Sequence, residues 1–579
     1  MMYDKNPEIF VNDTGQGAFQ GYDAICDAIL EKVSNGRGRV ILTLDCYPGV
    51  NVSELEQRLI GRFSEAVTIY SDDLTLDSEE IEAMISRNLT DDRVFGVMSH
   101  HRLREFFDEG LLAKARGKIE QSNGLVIIYG VGAHIVHQPD VLVYADMTRW
   151  EIQRRFSEEG LNNWKSVDLE EDMLKKFKRG YFFEWRVADR HKKTLFDEID
   201  FLLDTSLKED PKMVTGELFR WGMKKALTGP FRLVPYFAPG VWGGQWMKER
   251  FELDPDSENY AWSFDGVPEE NSVQMRFGDI RISMPAVNLV YRHPVELLGD
   301  RVHARFGDEF PIRFDFLDTM GGQNLSLQVH PVTEYIQDRF GMHYTQDESY
   351  YMLDAKEAAV VYLGVKEGVD PNAMEEELQQ ANAGGSEFRD EAYINRFQVK
   401  KHDHILIPAG TIHCSGRDTV VLEISATPYI FTFKLWDWGR LGMDGKPRPV
   451  HLEHGMSVVD WERDTAWVQD QLLNRIEEVG KGDGWVEERT GLHEREFIET
   501  RRHWFSGSVT HSTDGSVNML NLVEGQEAIV ESPDGSFNPY VIHYGETFIV
   551  PANVKRYTIR PYGRSEGETL ATIKASVRI

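Results

Sequence analysis

Two apolar patterns alternate along the first 200 or so residues. Unbroken apolar runs, RVILTLDCY (39–47), GLVIIYG (124–130) and VLVYAD (141–146), predict strands covered on both faces. EAVTIYSDD (65–73) predicts another strand. Between them, VSELEQRLIGRF (52–63) sets Leu55, Leu59 and Phe63 on one side at helical spacing. TRWEIQRRFSEEG (148–160) reads as a helix with a glycine stop. Strands and helices taken in turn predict a doubly wound α/β domain over residues 1–210.

From about residue 230 the pattern shortens. RISMPAVNLVY, PIRFDFLD, LSLQVHP, ESYYMLD, HILIPAGTIHCSG and TVVLEISAT are short strands punctuated by proline and glycine. They predict all-β barrels or sandwiches, with a helical insertion at PNAMEEELQQANAGG (371–385). KHDHILIPAGTIHCS and YGETFIVPANVKRYTI share one plan: a polar turn, an apolar strand, Pro-Ala and a second short strand. That echo predicts two related barrels, residues 230–460 and 461–579.

The polar positions of LSLQVHPVTEY carry candidate chemistry. Leu325, Leu327 and Val329 alternate with Ser326, Gln328 and His330, so Gln328 and His330 leave one face of a strand together. Glu348 opens ESYYML, and His413 follows Gly410 in PAGTIHCSG. Two imidazoles, a carboxylate and an amide oxygen make a mixed N/O set for a divalent metal, with zinc suited and Fe, Mn, Co and Ni open. Each residue also has a plain structural reading: His330 as a strand cap, Glu348 and Gln328 as solvated strand positions, His413 as a turn residue. The spacing permits convergence without requiring it.

Composition narrows the partners. The chain has 579 residues and a net charge of -31, which repels nucleic acid and anionic membranes. Cys26, Cys46 and Cys414 are too few for a disulfide scaffold. The N-terminus lacks a signal-peptide pattern, and no apolar run reaches membrane-spanning length, so a cytoplasmic location is expected. The loop DCYPGVNVSEL has one glycine, Gly49, no lysine, and a proline without an N–H, so it is not a Walker loop and ATP binding is not expected. Asp72 and Asp73 read as a solvated loop, and Arg154 and Arg155 as a docking face.

The strand order and YADMTRWEIQRR are similar to the uridine kinase and phosphoribulokinase group of P-loop kinases, here with a decayed phosphate loop. An α/β scaffold without chemistry of its own is the alternative. FLDTMGGQNLSLQVHP, DESYYMLDA, ILIPAGTIHCSG, TVVLEIS and LWDWGRLGMDGKPRPVHLEHGMSVV resemble the type I mannose-6-phosphate isomerases of the cupin superfamily, from about residue 240 onward. The resemblance implies one zinc or other divalent ion per chain on Gln328, His330, Glu348 and His413, and Arg440 at the C1–C2 end of a sugar. His451 is the preferred general base; His343, Glu334 and Asp437 stay open, as does a metal-water relay. Gln346 and Asp315 stand where the family places lysines, which leaves the phosphate end of the site open. The second barrel offers His543 and Glu546 but has Arg556 where a ligand histidine would stand, so it reads as structural. The expected partner is a sugar or sugar phosphate, and a homo-oligomer is left open. The alternatives are a non-catalytic sugar-binding cupin and another metal-dependent sugar epimerase or lyase.

Overall fold

The computed structural model describes residues 3–34, 38–426, 431–443, 445–491 and 493–578. It divides into two compact units, so the chain is multidomain. The α/β unit comprises Glu8–Ala226 with Ser272–Arg292; the β unit comprises Met1–Pro7, Leu227–Asn271 and His293–Ile579. Among the described residues no helix is long and apolar enough to cross a membrane.

A seven-stranded sheet forms the α/β unit, in the order Ala18–Gln20, Lys212–Thr215, Phe201–Asp204, Val141–Asp146, Val40–Cys46, Leu125–Gly130, Val67–Tyr70. The last five are mutually parallel. Val40–Cys46 is buried at every position, which is why its sequence does not alternate. In chain order the parallel strands lie second, third, first, fourth, fifth, so the order reverses on either side of Val40–Cys46. Crevices for ligands open at such a reversal, beyond the carboxyl ends of the strands.

The loop after Val40–Cys46 is closed by packing. Gly49 has φ +102°, and a Cβ there would lie 2.6 Å from Ile152 Cγ1. Its glycine therefore serves close approach to the helix Arg149–Glu158. Arg155 Nη1 donates to Gly49 O at 3.1 Å and Nη2 to Thr205 O at 2.7 Å, while Arg154 pairs with Glu151, Glu158 and Glu159. Both arginines brace their own unit. Asp72 is likewise not a solvated side chain: it is half-buried, and Tyr70 OH donates to it at 3.0 Å. Asp73 is exposed, as expected.

RISMPAVNLVY also departs from expectation. Its strand Ile280–Pro285 pairs with Ser272–Phe277, which pairs with Glu8–Asn12 in a separate three-stranded sheet, and the helix Val287–Arg292 follows. These residues belong to the α/β unit. A period of two identifies a strand but not the sheet it joins.

The β unit holds two pairs of sheets. In the first region a six-stranded sheet runs His404–Ile407, Asp347–Ala355, Thr419–Ala426, Arg313–Asp318, Trp262–Gly266, Tyr236–Ala238. Its companion runs Ile394–Gln398, Val360–Val365, His413–Ser415, Leu327–Val329, Phe433–Trp436. The C-terminal region pairs a six-stranded sheet of Glu477–Gly482, Trp485–Gly491, Ile498–Phe505, Leu570–Val577, Asn518–Glu524 and Thr547–Val550 with a four-stranded one. The predicted strands TVVLEISAT and IFTFKLWDWG have ends at Thr427 and Ile430, outside the described residues.

Candidate metal centre

The register of Leu327–Val329 is set by its apolar face. Leu327 and Val329 are fully buried, each side chain contributing roughly 1.5–3 kcal/mol. The helix Leu452–Val458 covers that face: a Cβ on Gly455 would lie 2.4 Å from Leu435 and 3.6 Å from both Phe433 and Val329. A slip of one residue would bury Gln328 there instead. With this register Gln328 pairs directly with His413 on one side and Lys434 on the other. His330 ends the same strand, its carbonyl accepting from Gly410 N at 2.8 Å. Glu348 comes from the six-stranded sheet, so the donors arrive from two sheets.

The sheets bring three side chains to one point. His330 Nε2 lies 3.0 Å from Glu348 Oε2, and His413 Nε2 lies 2.8 Å from Glu348 Oε1. All three side chains are fully buried, and their ligand atoms lie within 4.8 Å of one another. Among the described residues this is the one such group of histidine, cysteine and carboxylate side chains. Gln328 Nε2 is 3.2 Å from His413 Nε2; rotating the amide by a half-turn presents its oxygen there instead. Both imidazoles are oriented from behind: His330 Nδ1 donates to Phe431 O at 2.7 Å, and His413 Nδ1 to Thr411 O at 2.9 Å. That tautomer points the Nε2 lone pairs at the shared centre, the arrangement metal-binding histidines take. His330 Nε2 and Glu348 Oε1 are buried without a hydrogen-bond partner despite the short separations. Lone pairs aimed at a common point, not at each other, account for this, and the donor set fits a divalent cation.

Burial alone would raise the Glu348 pKa, but the positive charge of His330 and His413, when no ion replaces their Nε2 protons, holds it well below the carboxylate range. Gln346 fixes its orientation: Nε2 donates to Glu348 Oε2 at 3.1 Å, and Oε1 accepts from Phe431 N at 3.1 Å. Behind the centre lie two rows across the six-stranded sheet, Arg313–Ser425–Glu348 and Asp315–Glu423–Tyr350. Burial, then the charges of Asp315 and Glu348, push Glu423 well above its ordinary value. Burial lifts Asp315 to about 6 against the pull of Arg313, whose Nε is 3.4 Å away. The sequence reading missed Glu423, a single acid in the apolar run TVVLEISA. Its signal was Glu423 itself, two positions before Ser425 and therefore on the same face.

Arg440 sits in the turn after Phe433–Trp436. It donates to Asn324 O at 2.7 Å and to the Asp437 carboxylate, which also holds Arg448 at 2.9 Å and accepts from Ser326 Oγ at 2.9 Å. Burial, then Arg448, lowers Lys434 to about 7. The sequence reading passed over Lys434, although FTFKLW alternates in the same way as LSLQVH. His451 caps the helix Leu452–Val458, with its ring 6.3 Å from that of Phe433. Phe433 pairs with Val329 and Lys434 with Gln328, so His451 lies on the strand face opposite Gln328. Glu334 and His343 are exposed, and Asp437 is occupied by its two arginines.

In the C-terminal region His543 Nδ1 is 3.1 Å from Glu546, whose carboxylate also holds Arg232 at 2.8 Å; Arg556 is exposed.

The first part of the chain, residues 21–228, matches the model of a domain of unknown function, DUF8485. The remainder resembles curated enzymes. The chain is 24% identical over 323 residues to the mannose-6-phosphate isomerase of Streptococcus mutans, covering 55% of this chain and 90% of that protein. It is 23% identical over 343 residues to the mannose-6-phosphate isomerase ManA of Bacillus subtilis, covering 58% of this chain and 97% of the relative. A crystal structure of the Bacillus subtilis mannose 6-phosphate isomerase aligns with a TM-score of 0.49 at 21% identity, over 60% of this chain and 99% of that one. The relatives to which more than half of this chain is similar are thus mannose-6-phosphate isomerases.

Proposed function

We propose that the protein is a metal-dependent aldose–ketose isomerase acting on mannose 6-phosphate and fructose 6-phosphate or a closely related sugar. The observation that carries this reading is the buried meeting of His330, Glu348 and His413, with Gln328 beside them. In this reading the β unit is a tandem of cupin barrels, 230–460 and 461–579, and residues 1–210 form a degenerate P-loop-like domain of a cytoplasmic protein. His330, Glu348, His413 and the Gln328 amide oxygen would hold one zinc or a similar divalent ion. Such an ion polarises sugar oxygens and stabilises negative charge at C1 and C2.

The chain's own residues supply the rest. Gln346 keeps the Glu348 carboxylate turned toward the two imidazoles. Arg440, fastened by Asp437 and Asn324, presents a fixed positive charge to the oxyanion of an enediolate. Lys434, paired with Gln328 across the strands and lowered to about 7, adds a second positive charge only below neutral pH. Glu423 keeps its proton and serves as a hydrogen-bond donor. His451, on the opposite strand face, holds the Phe433 strand against its covering helix and moves no proton.

A second reading, an isomerase for sugars without phosphate, is favoured by the inward row Asp315–Glu423, where a dianion would meet carboxyl groups. Incubation in D2O with mannose 6-phosphate, fructose 6-phosphate, mannose and fructose, followed by NMR, tests both. Deuterium at C1 or C2 of the phosphorylated pair supports the first reading, and of the free sugars the second. Exchange in none of them refutes isomerisation of these sugars.

A further inference from the structure

The β unit carries an open groove of about 500 Å³ between its first region and its C-terminal region. One edge strand explains why the groove exists. His404–Ile407 ends the six-stranded sheet, and the residues after the helix Thr465–Gln471 pair along it. Leu406 N donates to Leu472 O and Asn474 N to His404 O, each at 3.0 Å. Asn474, at φ +48°, then turns the chain away from the strand. Asparagine tolerates that left-handed backbone. Its side-chain oxygen accepts from His404 N at 2.8 Å, and its Nδ2 donates to Asp403 at 3.0 Å. Ile407 pairs with Glu348 and Leu406 with Ser349, so Leu406 leaves the sheet on the face opposite the metal donors. Leu406 and Ile476 supply the apolar lining of the groove.

The polar lining is unevenly satisfied. Four charged side chains line the groove. Glu477 and Arg489 are register partners on neighbouring strands and pair with each other. Arg475 and Glu494 are exposed, and neither side chain makes an ion pair or a hydrogen bond with a described residue. His493 also lines the groove, although it is only 6% exposed. Arg495 N donates to its Nδ1 at 3.4 Å, which puts the ring proton on Nε2. The Trp467 ring lies 5.7 Å from it and holds it in place. Burial, then the charges of Arg463 and Arg495, lower the His493 pKa, so the ring is a neutral donor at neutral pH. Those two arginines share Asp460. The Nε2–H of His493 has no partner among the described residues.

We infer that this groove binds a zwitterionic amino acid with an apolar side chain, its carboxylate on Arg475 and the Nε2–H of His493, its ammonium on Glu494, and its side chain on Leu406 and Ile476. The groove offers one unpaired charge of each sign, which selects a zwitterion over a simple anion or cation. A guanidinium takes a carboxylate through two hydrogen bonds, and a carboxylate takes an ammonium through charge-assisted ones. A volume of about 500 Å³ lies within the range of small-molecule sites. The inference is independent of the metal centre.

The test is calorimetric titration of the full chain with L-leucine, leucinamide and N-acetyl-leucine. Leucinamide lacks the carboxylate, and N-acetyl-leucine lacks the ammonium. Leucine should bind at millimolar concentration or below, and each blocked form about tenfold more weakly or worse. Arg475→Gln and Glu494→Gln, both at exposed positions that leave the fold intact, should each weaken leucine binding by about tenfold. Leucine should also raise the melting temperature of the wild type more than that of either variant. An amino acid can chelate a bound metal, so the His330→Ala/His413→Ala variant and wild type dialysed against EDTA are titrated in parallel. Both should bind leucine as untreated wild type does. Absence of leucine binding at millimolar concentration, equal binding of a blocked form, unchanged binding by Arg475→Gln, or loss of binding on removal of metal overturns the inference.

Discussion

In the first β region, histidines from one sheet meet a carboxylate from the other; in the C-terminal region two histidines meet each other instead. His503 and His511 have ring centroids 4.4 Å apart, and His511 stacks on Tyr557 at 5.0 Å. The nearby carboxylate, Glu487, lies on the strand next to His503 in the same sheet and is shared by His503, at 3.2 Å, and Arg501, at 2.9 Å. Burial, then His503 and Lys574, drives the His511 pKa well below its ordinary value. Burial lowers that of His503 as well, against Glu487. The pair is thus neutral and has no shared anion. At the first site Glu348 stands opposite both imidazoles and gives each a separate oxygen. In this chain the histidines that share a carboxylate from the facing sheet form the candidate cation site among the described residues, and the pair without one does not.

The strongest way to break this contrast is to remove the histidines in each region. His330→Ala/His413→Ala should take isomerase activity to background, whereas His503→Ala/His511→Ala should leave kcat unchanged per folded molecule in a coupled assay. Equal losses would erase the distinction. Arg440→Gln should come next, lowering kcat by about 10²–10³-fold with metal content unchanged, as for loss of an oxyanion donor. Gln346→Ala should weaken metal affinity by about 10–100-fold in a chelator competition, because it frees Glu348 without removing a ligand.

The smallest effect concerns a buried carboxylate that lacks the pairing of Glu348. Asp265 accepts from Thr547 N at 3.2 Å and Tyr3 OH at 3.3 Å, yet burial lifts it to about 7 despite Arg232. The native state therefore holds a proton that the unfolded chain releases near its ordinary value of 3.8. Stability from this group is complete below that value and is lost as pH rises through about 7, up to roughly 4 kcal/mol in all. Thermal melts from pH 5 to 8 should slope downward, and Asp265→Asn should flatten the slope. An unchanged slope would place the titration elsewhere.

Much of the architecture was legible because burial imposes periodicity. Val40–Cys46 reads as a doubly covered strand because nothing in it faces water. Gln328 and His330 stand out because they break an apolar alternation. Their meeting with Glu348 was not legible from spacing: it depends on a contact between two sheets, and only family order proposed it. Ser272–Arg292 misled because a strand does not encode its partner. The placement of His451 was not legible because a helix start can lie on either side of a neighbouring strand, and here Gly455 packs the helix on the face opposite Gln328. Gly49 marks a tight approach to Ile152, which a glycine in a loop after a first strand does not reveal by itself. Glu423 and Lys434 escaped notice because a lone charge in an apolar strand looks incidental until its cross-strand neighbours are known.

The most direct test of the metal centre is elemental analysis of the purified protein and of its His330→Ala/His413→Ala variant. The wild type should carry about one zinc or comparable divalent ion per chain, and the variant none. The same metal content in both proteins would contradict the account.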